Sequence, residues 1–207
     1  MIDIILAYLD EFVTFMNNGG IVMWVLFGLN LMLWYGLGYR YIVLQRGTKG
    51  TIHRLIEKHE KRGKSKVFVG LLDYFIKEAL EKAKELQGKN VKLRDHLDDI
   101  MFSYLRETSK YSVLVKTIVM LAPLVGLLGT VMGMIETFDA LQSSSMFSQG
   151  NSISGGISKA LFTTELGLVV AVPGLLLGRI LDRKEETFAL EFEQIVNIIC
   201  TKDNHAS

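Results

Sequence analysis

At 207 residues, with 49% hydrophobic residues, 22% charged residues and a mean hydropathy of +0.29, the chain is mixed in character, its apolar blocks being separated by a strongly charged one. Its 23 Lys and Arg nearly balance 22 Asp and Glu, so the net charge of +1 points to no class of partner. The single Cys200 excludes a disulfide framework, and His53, His59, His96 and His205 lie in polar or terminal surroundings where no His, Cys and carboxylate grouping has metal-ligand spacing, so no metal and no cofactor is expected. A polytopic membrane protein with a soluble part is left.

Residues 1–18 carry Asp3, Asp10 and Glu11 but no Lys or Arg, and Ile2, Ile5, Leu6, Leu9, Phe12, Val13 and Met16 recur at helical spacing. This predicts an external amphipathic helix on a membrane surface or a neighbour, without the basic start of a cleaved signal peptide. After the Asn17–Gly20 break, residues 19–40 read as a first membrane span, with Trp24, Trp34, Tyr35 and Tyr39 toward its ends as an aromatic belt would place them.

The next block, residues 41–115, is a charged helical domain. From Arg40 to Lys116 lie 18 of the 23 Lys and Arg. The cluster Lys58, Lys61, Arg62, Lys64 and Lys66 has the look of a nucleic-acid patch, but Glu57, Glu60, Asp73, Glu78, Glu81 and Glu85 interleave with the basic residues and stacking aromatics are few, so no nucleic acid is expected. Val67, Leu71, Leu72, Phe75, Ala79, Leu80, Ala83 and Leu86 predict one helix ending at Gly88. A second starts near Lys92, and Leu93, Leu97, Ile100, Met101, Tyr104 and Leu105 carry its apolar face to the membrane without Gly or Pro. Together with the second span this predicts one rod of about 45 residues, on the order of 60 Å long.

Residues 116–138 form the second span, uncharged from Thr117 to Ile135. Within it Ala122, Gly126, Thr130, Gly133 and Thr137 fall three and four apart and make a narrow stripe of small and hydroxyl-bearing residues. Residues 139–158 are a Ser/Gly/Asn-rich connection without Lys or Arg, and residues 159–179 form the third span, where Ala160, Thr164, Gly167, Ala171, Gly174 and Gly178 repeat the spacing. Each stripe serves either plain helix packing or the lining of a pore. Pro123 and Pro173, the only prolines, lie inside these spans and are expected to loosen or kink them. In residues 180–207, Phe188, Phe192, Ile195 and Ile199 extend the apolar stripe, predicting a cytoplasmic continuation of the helix beside the second. Basic residues crowd the central block and the flank Arg179, Arg183 and Lys184, so the positive-inside rule puts the N-terminus outside and the C-terminus in the cytoplasm, with Lys159 the one dissenting charge.

The segments APLVGLLGTVMGMIETF (122–138) and GISKALFTTELGLVVAVPG (156–174), long, in this order and joined by a short outer hairpin, resemble the two motifs of the MotA/TolQ/ExbB proton-channel family, and most closely its ExbB and TolQ branch. The resemblance covers most of the chain, with residues 1–18 and 44–90 alike only in general character. It implies an all-α membrane protein of three transmembrane helices, two extended far into the cytoplasm, assembling as a homopentamer around a dimer of an ExbD/TolR-like single-span partner whose membrane aspartate carries protons. A TonB/TolA-like energy transducer and membrane lipids complete the implied partners, in a bacterial inner membrane.

Five hairpins with inward stripes would enclose such a partner, so Ala122, Gly126, Gly133, Thr137, Ala160, Gly167, Ala171, Gly174 and Gly178 are the expected pore-facing small residues. Thr130 and Thr164 are expected on the proton path, where a hydroxyl can bond a protonatable carboxylate or a water chain; alternatively each only bonds its own helix. Glu165, about a turn and a half inside the third span, would cost about 2.5 to 3.5 kcal/mol if ionised in lipid, and is a proton relay, a partner-docking anion or a rim residue that reaches water. Glu136, near the end of the second span beside Asp139, reaches solvent easily. Many family members carry an acidic residue where this chain has Lys159, so no carboxylate role transfers to that position. No phosphate loop and no nucleophile–base pair occur, so bond-making catalysis and ATP use are not expected. The competing reading is a passive oligomeric scaffold held together by its small-residue stripes.

Overall fold

The structure, a computed structural model, describes residues 2–45, 52, 55–56, 70–86, 93–143 and 149–206. The helices delimited among the described residues are, in order, α1 (Ile2–Asn18), α2 (Gly20–Val43), α3 (Leu71–Leu86), α4 (Leu93–Thr108), α5 (Ser112–Ser143) and α6 (Gln149–Ala206). No strand occurs among the described residues. Three stretches, in α2, α5 and α6, are long and apolar enough to cross a membrane, and α6 continues well beyond its apolar part. The basic cluster at 58–66, Val67 and Gly88 lie outside the described residues.

The chain divides into two compact units, one made of Met1–Leu37 with Leu114–Gly178 and the other of Gly38–Val113 with Arg179–Ser207. In the first, the break between α1 and α2 is made by Gly20, whose φ of 68° is open to glycine and costly for other residues. The C-terminal part of α1 packs through Met16, which is buried, and through edge-to-face contacts of Phe12 with Phe27 and Phe15 with Phe162. Its earlier apolar residues Ile5, Leu6 and Leu9 are exposed, as an amphipathic helix offered to lipid or a neighbour leaves them. Both α5 and α6 run on as helix past Pro123 and Pro173. Each proline removes one backbone donor, a loss that other hydrogen-bond donors or local adjustment can cover in a membrane helix.

The second unit is built round a cluster of edge-on and tilted aromatics. Phe75 of α3 lies 4.6 Å from Phe192 of α6 and 5.4 Å from Tyr104 of α4, and Phe188 adds a further ring 6.0 Å from Phe192. Phe188, Phe192, Ile195 and Ile199 are all buried, so the apolar stripe beyond the third span serves as a core face. Tyr104 donates to the Glu78 carboxylate at 2.7 Å. Burial first, and this carboxylate second, push its phenol well above the usual tyrosine range, so it remains a donor at any physiological pH.

Two expectations change. The rod predicted from Lys92 through the second span is interrupted: α4 ends at Thr108, and α5 begins at Ser112 after a turn in which Tyr111 takes a left-handed φ of 64°. Thr108 and Ser109 turn their hydroxyls onto the carbonyls of Leu105 and Arg106, offering the backbone an alternative to continued helix. The Tyr111 ring stands edge-on to Tyr39 at 5.0 Å, a contact that offsets part of the backbone cost. Around residues 139–158, helix also extends further than the serine-rich composition suggests, since α5 reaches Ser143 and α6 starts at Gln149.

Candidate functional site

The facing surfaces of α5 and α6 form a seam too tight for a side chain at its glycines. A Cβ on Gly126 would lie 2.9 Å from the Thr163 carbonyl oxygen; on Gly133, 2.7 Å from that of Gly156; and on Gly167, 2.8 Å from that of Ala122. These clashes are with backbone, which cannot swing aside. The pairing of Gly133 with Gly156 and Ala160, and of Gly126 and Ala122 with Gly167, runs in opposite directions along the two helices, so they are antiparallel.

The small residues expected to face a pore are placed against their own chain. Ala122, Gly126, Gly133, Thr137, Ala160, Gly167, Ala171, Gly174 and Gly178 are all buried. Gly174 meets Leu33 of α2 and Val119 of α5, and Gly178 has Val115 within ordinary contact distance. Thr137 donates to the Gly133 carbonyl at 2.9 Å. These contacts pack the spans of one chain closely together, the use that small residues commonly have in membrane helices.

The seam is completed by two residues that were not expected there, Gly129 and Thr163. Thr163 is wholly buried, with its hydroxyl on the Ala160 carbonyl at 2.9 Å, and a Cβ on Gly129 would run into its side chain. Thr130 and Thr164 are each one residue further on and only half-buried. One residue is a turn of about 100°, and on two antiparallel right-handed helices that face each other a forward step rotates both side chains toward the same side. Thr130 and Thr164 therefore flank one edge of the seam together, amid exposed Leu127, Met134, Leu161 and Leu168. On the opposite edge Phe162, one residue before Thr163, is covered by Phe15.

Their hydroxyls have different partners. Thr130 donates to the Leu127 carbonyl of its own helix at 2.6 Å, whereas Thr164 reaches across to the Gly126 carbonyl at 3.4 Å, a long contact that leaves its lone pairs free. Glu165 is exposed and, a further residue on, points away from the seam. Lys159 bonds Glu136 across the two helices, and its stem passes over Gly20, where a Cβ would come within 2.7 Å of Lys159 Cε. The dissenting charge is thereby neutralised by the acid of the neighbouring span.

A second polar constellation lies in the other unit and was not visible beforehand. The Arg40 side chain is 0% exposed, and its Nη2 donates to Asp182 at 2.9 Å and to Glu185 at 2.7 Å. Ser112 adds a 3.4 Å bond to the same Asp182 oxygen. Arg40 stands in the last turn of α2, where a cation also suits the helix dipole. Tyr39 donates to Glu107 beside it, with the Lys110 ammonium 5.3 Å from the Tyr39 ring centre. The available signal was two acids three residues apart directly after an apolar run.

The sequence profile of the MotA/TolQ/ExbB proton channel family matches residues 69–194, a stretch that contains both quoted motifs and the whole seam. The chain belongs to this family. It is 38% identical over 72 residues to an ExbB-like biopolymer transport protein of Synechocystis sp., a match covering 34% of each chain, and 37% identical over 90 residues to the biopolymer transport protein ExbB of Aquifex aeolicus, covering 44% of this chain and 60% of that one. An ExbB-like protein of Helicobacter pylori is 28% identical over 203 residues, covering 94% of this chain and 99% of that protein. The match thus spans about a third of the Synechocystis relative and nearly all of the Helicobacter one. With three apolar helices of spanning length, this member of the MotA/TolQ/ExbB family is a multi-pass inner-membrane protein of a proton channel family.

Proposed function

We propose that the chain is a ring subunit of a proton-motive-force-driven inner-membrane motor of ExbB/TolQ type. Five copies surround a dimer of an ExbD/TolR-like single-span partner, and protons passing by way of the partner's membrane carboxylate shift that dimer within the ring, with a TonB/TolA-like transducer taking the work to the envelope. The N-terminus is periplasmic and the C-terminus cytoplasmic. The observation that carries this reading is the pair Thr130 and Thr164 on one accessible edge of the seam, two hydroxyls amid the exposed apolar side chains of Leu127, Met134, Leu161 and Leu168.

An apolar strip facing only lipid has no use for two adjacent hydroxyls, whereas one facing a protonatable carboxylate does. The buried small residues then act indirectly, by holding the two threonine-bearing helices at a fixed close distance. Glu165, turned to the outer surface of α6, is a candidate contact to the next ring copy or to water. Each proton delivers about 2.3 kcal/mol per 100 mV, so one or two per step exceed thermal energy several-fold. The scaffold reading is weakened by the same geometry, because stripes consumed inside one subunit are not free to join copies.

The test is purification from native membranes with the product of a neighbouring frame that encodes a single span containing an aspartate. The intact mass should correspond to five chains and two partners, and vesicles holding the complex should acidify when a potential is applied. A complex without a second polypeptide, or one that passes no protons, would refute the motor.

A further inference from the structure

A seam of small residues fixes how close two helices lie and leaves open how far one has slid along the other. Thr163 sits in the notch of Gly129, where any Cβ would run into its side chain. Gly126 and Gly133 lie on either side of that notch, each about one turn of about 5.4 Å away. Sliding α5 so that Thr163 reaches Gly126 also sets Gly129 opposite Ala160, so small residues still meet small residues. Sliding it the other way is opposed by packing, because the buried Val170 is brought toward Gly126. One-turn ratchets of packed elements do occur in proteins, and a spacing that repeats every turn does not exclude this one. A polar contact at one position can, as a single polar residue fixes register in a coiled coil.

The ion pair of Lys159 on α6 with Glu136 on α5 is such a contact. Lys159 is also held from a third side: its side chain is only 20% exposed, and its stem lies over Gly20, whose missing side chain leaves the room. Phe162, three residues on, meets Phe15 of α1. Lys159 therefore cannot follow a sliding α5. The slip toward Gly126 would carry Glu136 away and leave Met132 facing the ammonium. The 3.4 Å contact of Thr164 with the Gly126 carbonyl is too long to hold the register by itself, but it shows that Thr164 and Thr130 stand about one turn apart along the seam. Resting on the motor reading above, we infer that Glu136 and Lys159 are positioning residues that pin the register of α5 against α6 and so set the relative height of Thr130 and Thr164. After the slip the two hydroxyls would stand about two turns apart, too far for one carboxylate of the partner to meet both.

Disulfide cross-linking of the full chain in native membranes, in a Cys200→Ser background, reads the register. Leu127→Cys with Thr164→Cys, level with each other across the seam, reports the register seen here, and Leu127→Cys with Leu161→Cys reports the slipped one. Glu136→Gln and Lys159→Met each remove the ion pair with little change of shape. In both, the ratio of slipped to native cross-link should rise about threefold or more, the scale of a typical interhelical polar contact in a membrane. The ratio should return toward wild type in Glu136→Lys, Lys159→Glu, which restores the pair with its charges exchanged. Proton flux through the complex reconstituted with its partner, measured without the reporter cysteines, should fall as that ratio rises. Wild-type ratios in both single variants, or no return in the exchanged pair, would overturn the inference. So would loss of folded protein in every variant, which would mark the pair as needed for folding and not for register, and so would a raised ratio with wild-type flux. A wild-type complex that passes no protons would instead defeat the motor reading, while the cross-link ratio would still decide the register.

Discussion

Gly133 illustrates what the seam demands of single residues. Any Cβ there meets the Gly156 carbonyl at 2.7 Å and the Ala160 nitrogen at 2.9 Å. Gly133→Leu is therefore expected to force α5 and α6 apart, beyond the 1–3 kcal/mol common for overpacking because the obstacle is backbone; the check is thermal stability in detergent with recovery of folded protein. Wild-type stability would remove the close-packing account. At the same scale, sequence spacing found the stripes and missed their exact line. Gly129 and Thr130 are neighbours, as are Thr163 and Thr164, and either member satisfies a three–four repeat. Only packing decides that Gly129 and Thr163 go inside. Arg40 was illegible for a different reason: its partners Asp182 and Glu185 are 142 and 145 positions away in the chain.

Helices were readable wherever apolar periodicity was sustained, and their interruptions were not. The all-helical class and three spanning stretches follow from composition and run length, and the aromatic core of the second unit follows from Phe75, Tyr104, Phe188 and Phe192 at helical spacing. The break at 109–111 escaped because neither Gly nor Pro marks it. Tyr111 shows how small terms decide such a turn: left-handed backbone costs about 1–2 kcal/mol, and its ring contact with Tyr39 returns about 0.5–1.5 kcal/mol. Tyr111→Gly relieves the first and loses the second, and should leave the melting temperature nearly unchanged. Tyr111→Pro, whose φ is fixed near −65°, cannot adopt this turn and should melt markedly lower. Equal melting for the two variants would contradict the left-handed turn.

For the whole molecule, the proposed orientation rests on charge distribution and is directly testable in a Cys200→Ser background. A cysteine at Ser145 should react with an impermeant thiol reagent added from the periplasmic side, and one at Lys82 should not; the reverse pattern would invert the topology. Orientation in turn decides which end of the seam faces the periplasm.

The central claim is that the hydroxyls of Thr130 and Thr164 handle protons while the seam beside them only holds shape. Proton flux through vesicle-reconstituted complex, compared between wild type and the Thr130→Val, Thr164→Val double variant, tests it most directly. Valine keeps the volume, and both positions are only half-buried, so assembly and intact mass should be unchanged. Flux should fall at least about tenfold, a barrier increase of about 1.4 kcal/mol, and return largely with serine at both positions. A valine variant that assembles and conducts like wild type would contradict the account, leaving Thr130 and Thr164 as packing residues.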